Sequence, residues 1–84
     1  MYEIVFSDIA KRQFDKLEKD CQERIGSVFE RIKIRPEHFV QRLVNSPYYK
    51  LRIGEYRVIL NVIHNKLVIL VVEIGHRRNI YKKV

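Results

Sequence analysis

The chain has 84 residues, of which 46% are hydrophobic and 32% are charged, a composition typical of one small globular domain. Its apolar runs fall well short of the roughly 20 residues that span a bilayer, so no membrane association is expected. A single cysteine, Cys21, excludes an internal disulfide and favours a reducing, cytoplasmic location.

The positive charge is concentrated in the second half of the chain. Residues 1–45 contain nine Lys and Arg against eight Asp and Glu, whereas residues 46–84 contain eight against two. The formal net charge is +7. Such a surplus is typical of proteins that bind a phosphate-bearing partner, although a basic surface that only aids solubility is the alternative.

The first half predicts a strand followed by two helices. Tyr2 to Phe6 is apolar-rich and partly β-branched, and Ser7 is placed to cap the helix that follows. Apolar residues recur at helical spacing from about Asp8 to Lys19, which predicts the first helix. A second helix is expected to begin at Asp20 and to end before Arg35-Pro36. The short link between the two predicts an antiparallel helical hairpin.

The second half predicts a connector from Glu37 to Ser46, with a helical turn and with Phe39 and Leu43 pointing inward, and then three strands. The strands run over about Tyr48–Ile53, Tyr56–His64 and Leu67–Gly75, with two-residue turns at Gly54-Glu55 and Asn65-Lys66. The order βααβββ predicts an α+β fold, a small single domain over residues 1–84. In it, an antiparallel sheet carries the N-terminal helical hairpin on one face.

The first of these turns concentrates positive charge. A two-residue turn pairs Arg52 with Arg57, and Lys50 lies one step along the same face. Like charges that face each other destabilise a sheet, so the arrangement indicates an anionic ligand. A solvated basic face on a hairpin is the alternative.

One apolar face of the predicted sheet has no helix to cover it. The helices cover the face of Leu51, Val58 and Leu60, which leaves the face of Arg52 and Arg57 open. Four apolar residues are expected on this open face, and we predict that a protein partner binds there: Ile59, Ile63, Leu70 and Val72. A bulge, another register or self-association would also bury them.

A second basic motif, Gly75-His76-Arg77-Arg78, follows the last strand, and the same register places His76 on the face of Arg57. Arginines bind a phosphodiester and stabilise charge on its oxygens, an aromatic ring stacks on a base, and lysine or histidine transfers protons. The candidate catalytic residues for metal-free RNA cleavage are Lys50, Arg52, Arg57, His76, Arg77 and Tyr81. RNA binding without cleavage is the alternative.

The histidines and the cysteine show no metal-ligand spacing, so neither a metal nor a cofactor is expected.

Three motifs resemble the RelE/ParE toxin superfamily, and RelE in particular: Tyr49-Lys50-Leu51-Arg52, Gly54-Glu55-Tyr56-Arg57-Val58-Ile59, and Gly75-His76-Arg77 with Tyr81. The resemblance implies a toxin of a type II toxin–antitoxin module. It implies a ribosome-dependent endoribonuclease that cleaves translated mRNA in the A site by attack of the ribose 2′-hydroxyl. Its partners would be the ribosome, mRNA and a RelB-like antitoxin that wraps around it.

The resemblance also implies roles for the site residues. Lys50 or Arg52 would help to activate the 2′-hydroxyl, Arg57 would stabilise the transition state, Arg77 would assist the leaving group, and Tyr81 would stack on a base. The RNA-binding set would be Lys50, Arg52, Arg57, Arg77, Arg78, Lys82 and Lys83. Arg52 stands where the RelE pattern has lysine, and arginine is a poor base, which favours Lys50 or His76 for proton abstraction.

Two other functions are compatible with the sequence. A ParE-like toxin would inhibit DNA gyrase without nuclease chemistry. A non-catalytic nucleic-acid-binding relative would share only the fold.

Overall fold

A computed structural model of the protein describes residues 1–76. The elements are β1 (Glu3–Phe6), α1 (Asp8–Asp15), α2 (Lys19–Ile32), a 3₁₀ turn (Pro36–His38), β2 (Gln41–Arg42), β3 (Tyr49–Ile53), β4 (Tyr56–Ile63) and β5 (Val68–His76). The strands form one sheet of order β1-β5-β4-β3-β2. The predicted α+β class is confirmed, with the two-residue strand β2 as an addition. None of the helices in this part of the chain is both long and apolar enough to cross a membrane.

The sheet is mixed, so the prediction of a purely antiparallel sheet is wrong at one edge. β3, β4 and β5 alternate in direction because short turns join them, and β2 is antiparallel to β3. β1 instead pairs in parallel with β5, with Phe6 opposite Val71. The helical hairpin separates β1 from the other strands in sequence, so no tight turn constrains its direction.

The helical hairpin is fixed by side chains near its turns. The amide of Ala10 donates to Ser7 Oγ at 3.0 Å, which confirms the predicted cap of α1. α1 ends at Asp15, before the predicted boundary, and α2 begins at Lys19 rather than Asp20. Gln22 Nε2 donates to the carbonyl oxygen of Phe14 at 2.9 Å, so α2 satisfies a carbonyl at the end of α1.

The hydrophobic core lies between the two helices and one face of the sheet. The helices contribute one buried stripe and the strands contribute the alternating positions that face it. Phe6 of β1 contacts Phe14 and Phe29 edge to face, with ring centroids 5.5 and 5.8 Å apart. The buried members of this core are Ala10, Ile25, Phe29, Ile32, Leu51, Ile53, Val58, Leu60, Val62, Ile69, Val71 and Ile74.

The β3–β4 hairpin has the predicted register. Arg52 pairs with Arg57 and Ile53 with Tyr56, so the two arginines do face each other. Gly54 has φ +60° at the first central position of the turn, the conformation that glycine adopts without steric cost. The two charges therefore meet because the turn allows only this pairing.

The β4–β5 connection is a four-residue loop, although it keeps the predicted register close to the loop. Ile63 pairs with Val68 and Leu60 with Val71. A β-bulge then follows, and Ile59 pairs with Glu73, so that Val72 is the extra residue.

The bulge overturns the predicted position of His76. Beyond the bulge, Gly75 lies opposite Arg57, and His76 lies opposite Tyr56. His76 therefore shares the helix-covered face, where its ring lies 5.8 Å from that of Tyr56. One extra residue inverts the side-chain faces of every position that follows, which is why His76 leaves the face of Arg57.

Side chains of α1 and of its N-cap residue hold the bulged segment of β5. β1 ends at Phe6, so it cannot pair with β5 beyond Val71. Ser7 Oγ instead donates to the carbonyl oxygen of Val72 at 2.8 Å, and the amide of Ile74 donates to Gln13 Oε1 at 2.6 Å. The backbone groups that the bulge turns away from β4 are thus satisfied by the neighbouring helix.

The helix-free face of the sheet exposes less apolar surface than the sequence predicts. Ile59 is only 5% exposed, so the prediction that it forms part of an open binding surface is wrong. It lies in the middle of the sheet, flanked by the longer side chains of Lys50 and Glu73 on the adjacent strands. The other three predicted positions are half-buried: Ile63, Leu70 and Val72.

Candidate functional site

Three of the predicted site residues line one cavity. Lys50, Arg52 and Arg57 border a space of about 260 Å³ together with Phe39 and Gln41. The register explains this convergence, because Arg52 lies opposite Arg57 across β3 and β4, and Gln41 lies opposite Lys50 across β2 and β3. The sheet therefore brings three cationic side chains from two adjacent strands to one concave site.

The three cations differ in burial. Arg57 is 9% exposed, Lys50 is half-buried, and Arg52 is exposed at the rim, where its Nε lies 3.5 Å from the carbonyl oxygen of Gly54. Electrostatic interactions strengthen as water is excluded, so an anion that reaches Arg57 interacts with it more strongly than with a surface arginine. The cavity is suited to an anion that enters past Arg52 and Lys50.

The arrangement matches the requirements of phosphodiester chemistry. Guanidinium groups bind phosphate oxygens in a bidentate manner and stabilise the charge that builds on them during displacement. Of the two alternatives for proton abstraction, Lys50 lines the cavity, whereas His76 lies on the opposite face of the sheet. Lys50 is therefore the candidate general base that the geometry favours.

Several predicted residues are outside the described part of the chain. Arg77, Arg78, Tyr81, Lys82 and Lys83 follow His76, and their roles in catalysis or RNA binding stay predictions.

Sequence reasoning missed two residues of the cavity, Phe39 and Gln41. Phe39 was expected to point inward, but 41% of it is exposed. A strand of two residues has no readable periodicity, so β2 was not predicted. The run Asn45-Ser46-Pro47, typical of a turn, was the available signal that Gln41-Arg42 and Tyr49-Lys50 form a hairpin.

His76 belongs to a different cluster, on the helix side of the sheet. Its ring contacts Tyr56, whose phenol lies near Cys21 of α2. The interaction with the Cys21 thiol, with burial and the nearby carboxylate of Glu18, raises the pKa of Tyr56 above its usual value. The cluster joins α2 to the end of the β3–β4 hairpin.

The geometry of a metal site is not found in the described part of the chain. Among residues 1–76, no three His, Cys, Asp or Glu side chains are grouped in a way that could hold a metal ion.

The fold agrees with that of known proteins. The fold is similar to that in the crystal structure of the intact E. coli RelBE toxin–antitoxin complex, with TM-score 0.81 and 25% identity over 90% of this chain and 96% of that chain. It is also similar to that in the archaeal RelE–RelB complex from Pyrococcus horikoshii OT3, with TM-score 0.77 and 24% identity over 90% of this chain and 94% of that chain. The isolated E. coli RelE toxin in its P21 form gives TM-score 0.77 and 20% identity over the whole of both chains. The last two establish the fold alone.

These features define a toxin of the RelE/ParE superfamily, as the sequence motifs predicted. Residues 4–81 match the family model described as the ParE toxin of the type II toxin–antitoxin system parDE. The chain therefore belongs to the ParE toxin family. No curated protein sequence matches it.

Proposed function

We propose that this toxin is a ribosome-dependent mRNA endoribonuclease. The observation that carries the proposal is the convergence of Lys50, Arg52 and Arg57 on one cavity, with Arg57 buried. The same residues carry the resemblance to RelE. The similarity in fold to RelE structures supports the same activity.

The proposed reaction uses this chain's own side chains. The side-chain amine of Lys50 accepts the proton of the ribose 2′-hydroxyl, and the 2′-oxygen attacks the adjacent phosphorus. Arg57 stabilises the charge on the phosphoryl oxygens, and Arg52 holds the phosphate at the rim. The bond from phosphorus to the 5′-oxygen breaks, and the leaving oxygen takes up a proton from water, a step that Arg77 assists by resemblance. The products are a 2′,3′-cyclic phosphate and a 5′-hydroxyl.

The proposal includes a RelB-like antitoxin as partner, acting in the cytoplasm. RelE is in complex with RelB in two of the similar structures. The surface proposed for it is the helix-free face of the sheet at β1 and β5. There, exposed Val5 lies opposite half-buried Leu70, and half-buried Ile63 lies on the same face.

The second candidate function is inhibition of DNA gyrase. The observation that favours it is the family match, because the matching model describes ParE toxins. This function requires no RNA cleavage, so the basic cavity would contribute only to binding. Assays for cut mRNA and for DNA supercoiling distinguish the two candidates.

The test is primer extension on mRNA in a translation extract with purified wild-type protein and the variant Arg57→Ala. We expect cuts at codons that occupy the ribosome, none on naked RNA, and a rate about 10²- to 10³-fold lower in the variant. Lys66→Ala is the matched control, because it removes the same charge from the exposed β4–β5 loop. Thermal unfolding confirms that each variant is folded.

The outcomes separate the candidates. Cleavage by Arg57→Ala at the wild-type rate would contradict the proposed role of the cavity. Absence of cuts with folded wild-type protein, together with loss of supercoiling by gyrase, would establish the second function. A protein that does neither would be a non-catalytic relative.

A further inference from the structure

An aromatic ring lies beside the cationic side chains of the cavity. Phe39 contributes to the same cavity wall as Lys50, Arg52 and Arg57, with 41% of the residue exposed. Isolated apolar residues on a protein surface are common and need no explanation, as for Val44, which is 88% exposed. Phe39 differs from Val44 because it borders a concave site that is otherwise polar and charged.

The backbone that carries this ring is held in place by local hydrogen bonds. The amide of Phe39 donates to the carbonyl oxygen of Pro36 at 3.0 Å, and the amide of Val40 donates to the same oxygen at 3.2 Å. Pro36 itself is fully buried. Because the 3₁₀ turn fixes this backbone, only the side chain of Phe39 has to be ordered when a ligand binds, which lowers the entropic cost of binding.

A carboxamide lies next to the ring. Gln41 pairs with Lys50 across β2 and β3, and its exposed side chain lines the cavity. A carboxamide both donates and accepts hydrogen bonds, and glutamine binds the edge of adenine through both groups. The cavity thus combines groups for phosphate, an aromatic surface and a group that reads a base edge.

We propose that Phe39 and Gln41 form a nucleobase-binding subsite, in which the ring stacks on a purine base next to the bound phosphate and Gln41 hydrogen-bonds to its edge. The inference deepens the proposed function, on which it rests for the identity of the ligand as RNA. A nucleotide carries its base and its phosphate on one sugar, so a ring and three cations around a space of about 260 Å³ match the two ends of one ligand. Stacking on aromatic side chains is a general mode of single-strand recognition.

The occupant could also be an apolar side chain of a protein partner, and this is the alternative that the test must exclude. Phe39→Leu separates the two, because leucine keeps an apolar side chain but has no π face. Gln41→Ala removes the group that reads the edge and keeps the ring. Val44→Ala is the matched control, because it truncates an exposed apolar residue that does not line this cavity.

The test measures binding of a dinucleotide without ribosomes. The probe is 2-aminopurine joined to uridine, with a 2′-deoxy sugar at the position of attack so that it cannot be cleaved. Stacking quenches 2-aminopurine fluorescence, so we expect quenching by the wild-type protein. Phe39→Leu should abolish quenching and weaken binding about 10-fold. Gln41→Ala should reduce the preference for adenine over uracil dinucleotides, and Val44→Ala should bind like the wild type.

Each result decides the inference independently of the proposed function. Quenching that depends on Phe39 in a protein that does not cut mRNA would uphold the subsite and refute the endoribonuclease. Wild-type quenching and affinity in folded Phe39→Leu would overturn the subsite even if mRNA is cleaved. Absence of dinucleotide binding by the wild type would also overturn it.

Discussion

Replacing Ser7 with alanine removes one hydroxyl that two elements share. Ser7 Oγ accepts from the amide of Ala10 at 3.0 Å and donates to the carbonyl oxygen of Val72 at 2.8 Å. The first hydrogen bond caps α1, and the second satisfies the bulged residue of β5 where β1 has ended. Ser7→Ala therefore tests whether α1 holds the bulge as well as beginning at this residue.

The expected loss of stability is the sum of two contributions. Loss of an N-cap side chain costs about 1 kcal/mol, and loss of a partly buried hydrogen bond costs about 1 kcal/mol more. A change of about 2 kcal/mol corresponds to a melting temperature lower by roughly 8–16 °C in a domain of this size. This is a large effect for the removal of one oxygen atom.

The assay is urea unfolding followed by circular dichroism, with two further variants. Ser7→Thr keeps both hydrogen bonds and should stay within about 0.5 kcal/mol of the wild type. Ser7→Asp keeps the acceptor for Ala10 but cannot donate to Val72, so it should lose about 1 kcal/mol. If Ser7→Ala and Ser7→Asp were both as stable as the wild type, the reasoning about the bulge would be refuted.

Three further predictions concern backbone conformation and pH. Gly26→Ala should raise the free energy of unfolding by about 0.5–1 kcal/mol, because a Cβ at this position of α2 meets only open space. Gly54→Ala should lower the free energy of unfolding by about 1 kcal/mol, because φ at this position is +60°. Asn45, with φ 56°, should tolerate glycine, while Asn45→Ala should cost about 1 kcal/mol; chemical denaturation of each pair checks both predictions. Because the folded-state pKa of Tyr56 is raised, the stability from its protonated phenol is fully present below pH 10.0 and is lost as the pH rises through the folded pKa. Unfolding measured against pH should therefore show a smaller alkaline loss for Tyr56→Phe, and equal losses would contradict this assignment.

The sequence by itself determined the features whose cause lies within a few residues. Ser7 caps α1 because its hydroxyl lies three residues before the amide that it accepts from. The Gly54-Glu55 turn sets the pairing of Arg52 with Arg57, because a two-residue connection permits only one register. The basic cavity and the superfamily resemblance were predictable for this reason, since both depend mainly on this hairpin.

Only the tertiary structure decided where the end of β5 and the start of β2 lie. The segment Val68–Val72 is apolar at every position, so alternation could not indicate its register. The bulged segment is instead held by Gln13, which lies 61 residues from its hydrogen-bond partner Ile74. The bulge places His76 on the helix-covered face of the sheet. Phe39 lies two residues before β2, and the pairing of β2 with β3 brings this segment to the cavity. A strand as short as β2 leaves no periodic pattern in the sequence. These placements depend on contacts between distant segments, and such contacts form only when the chain has folded.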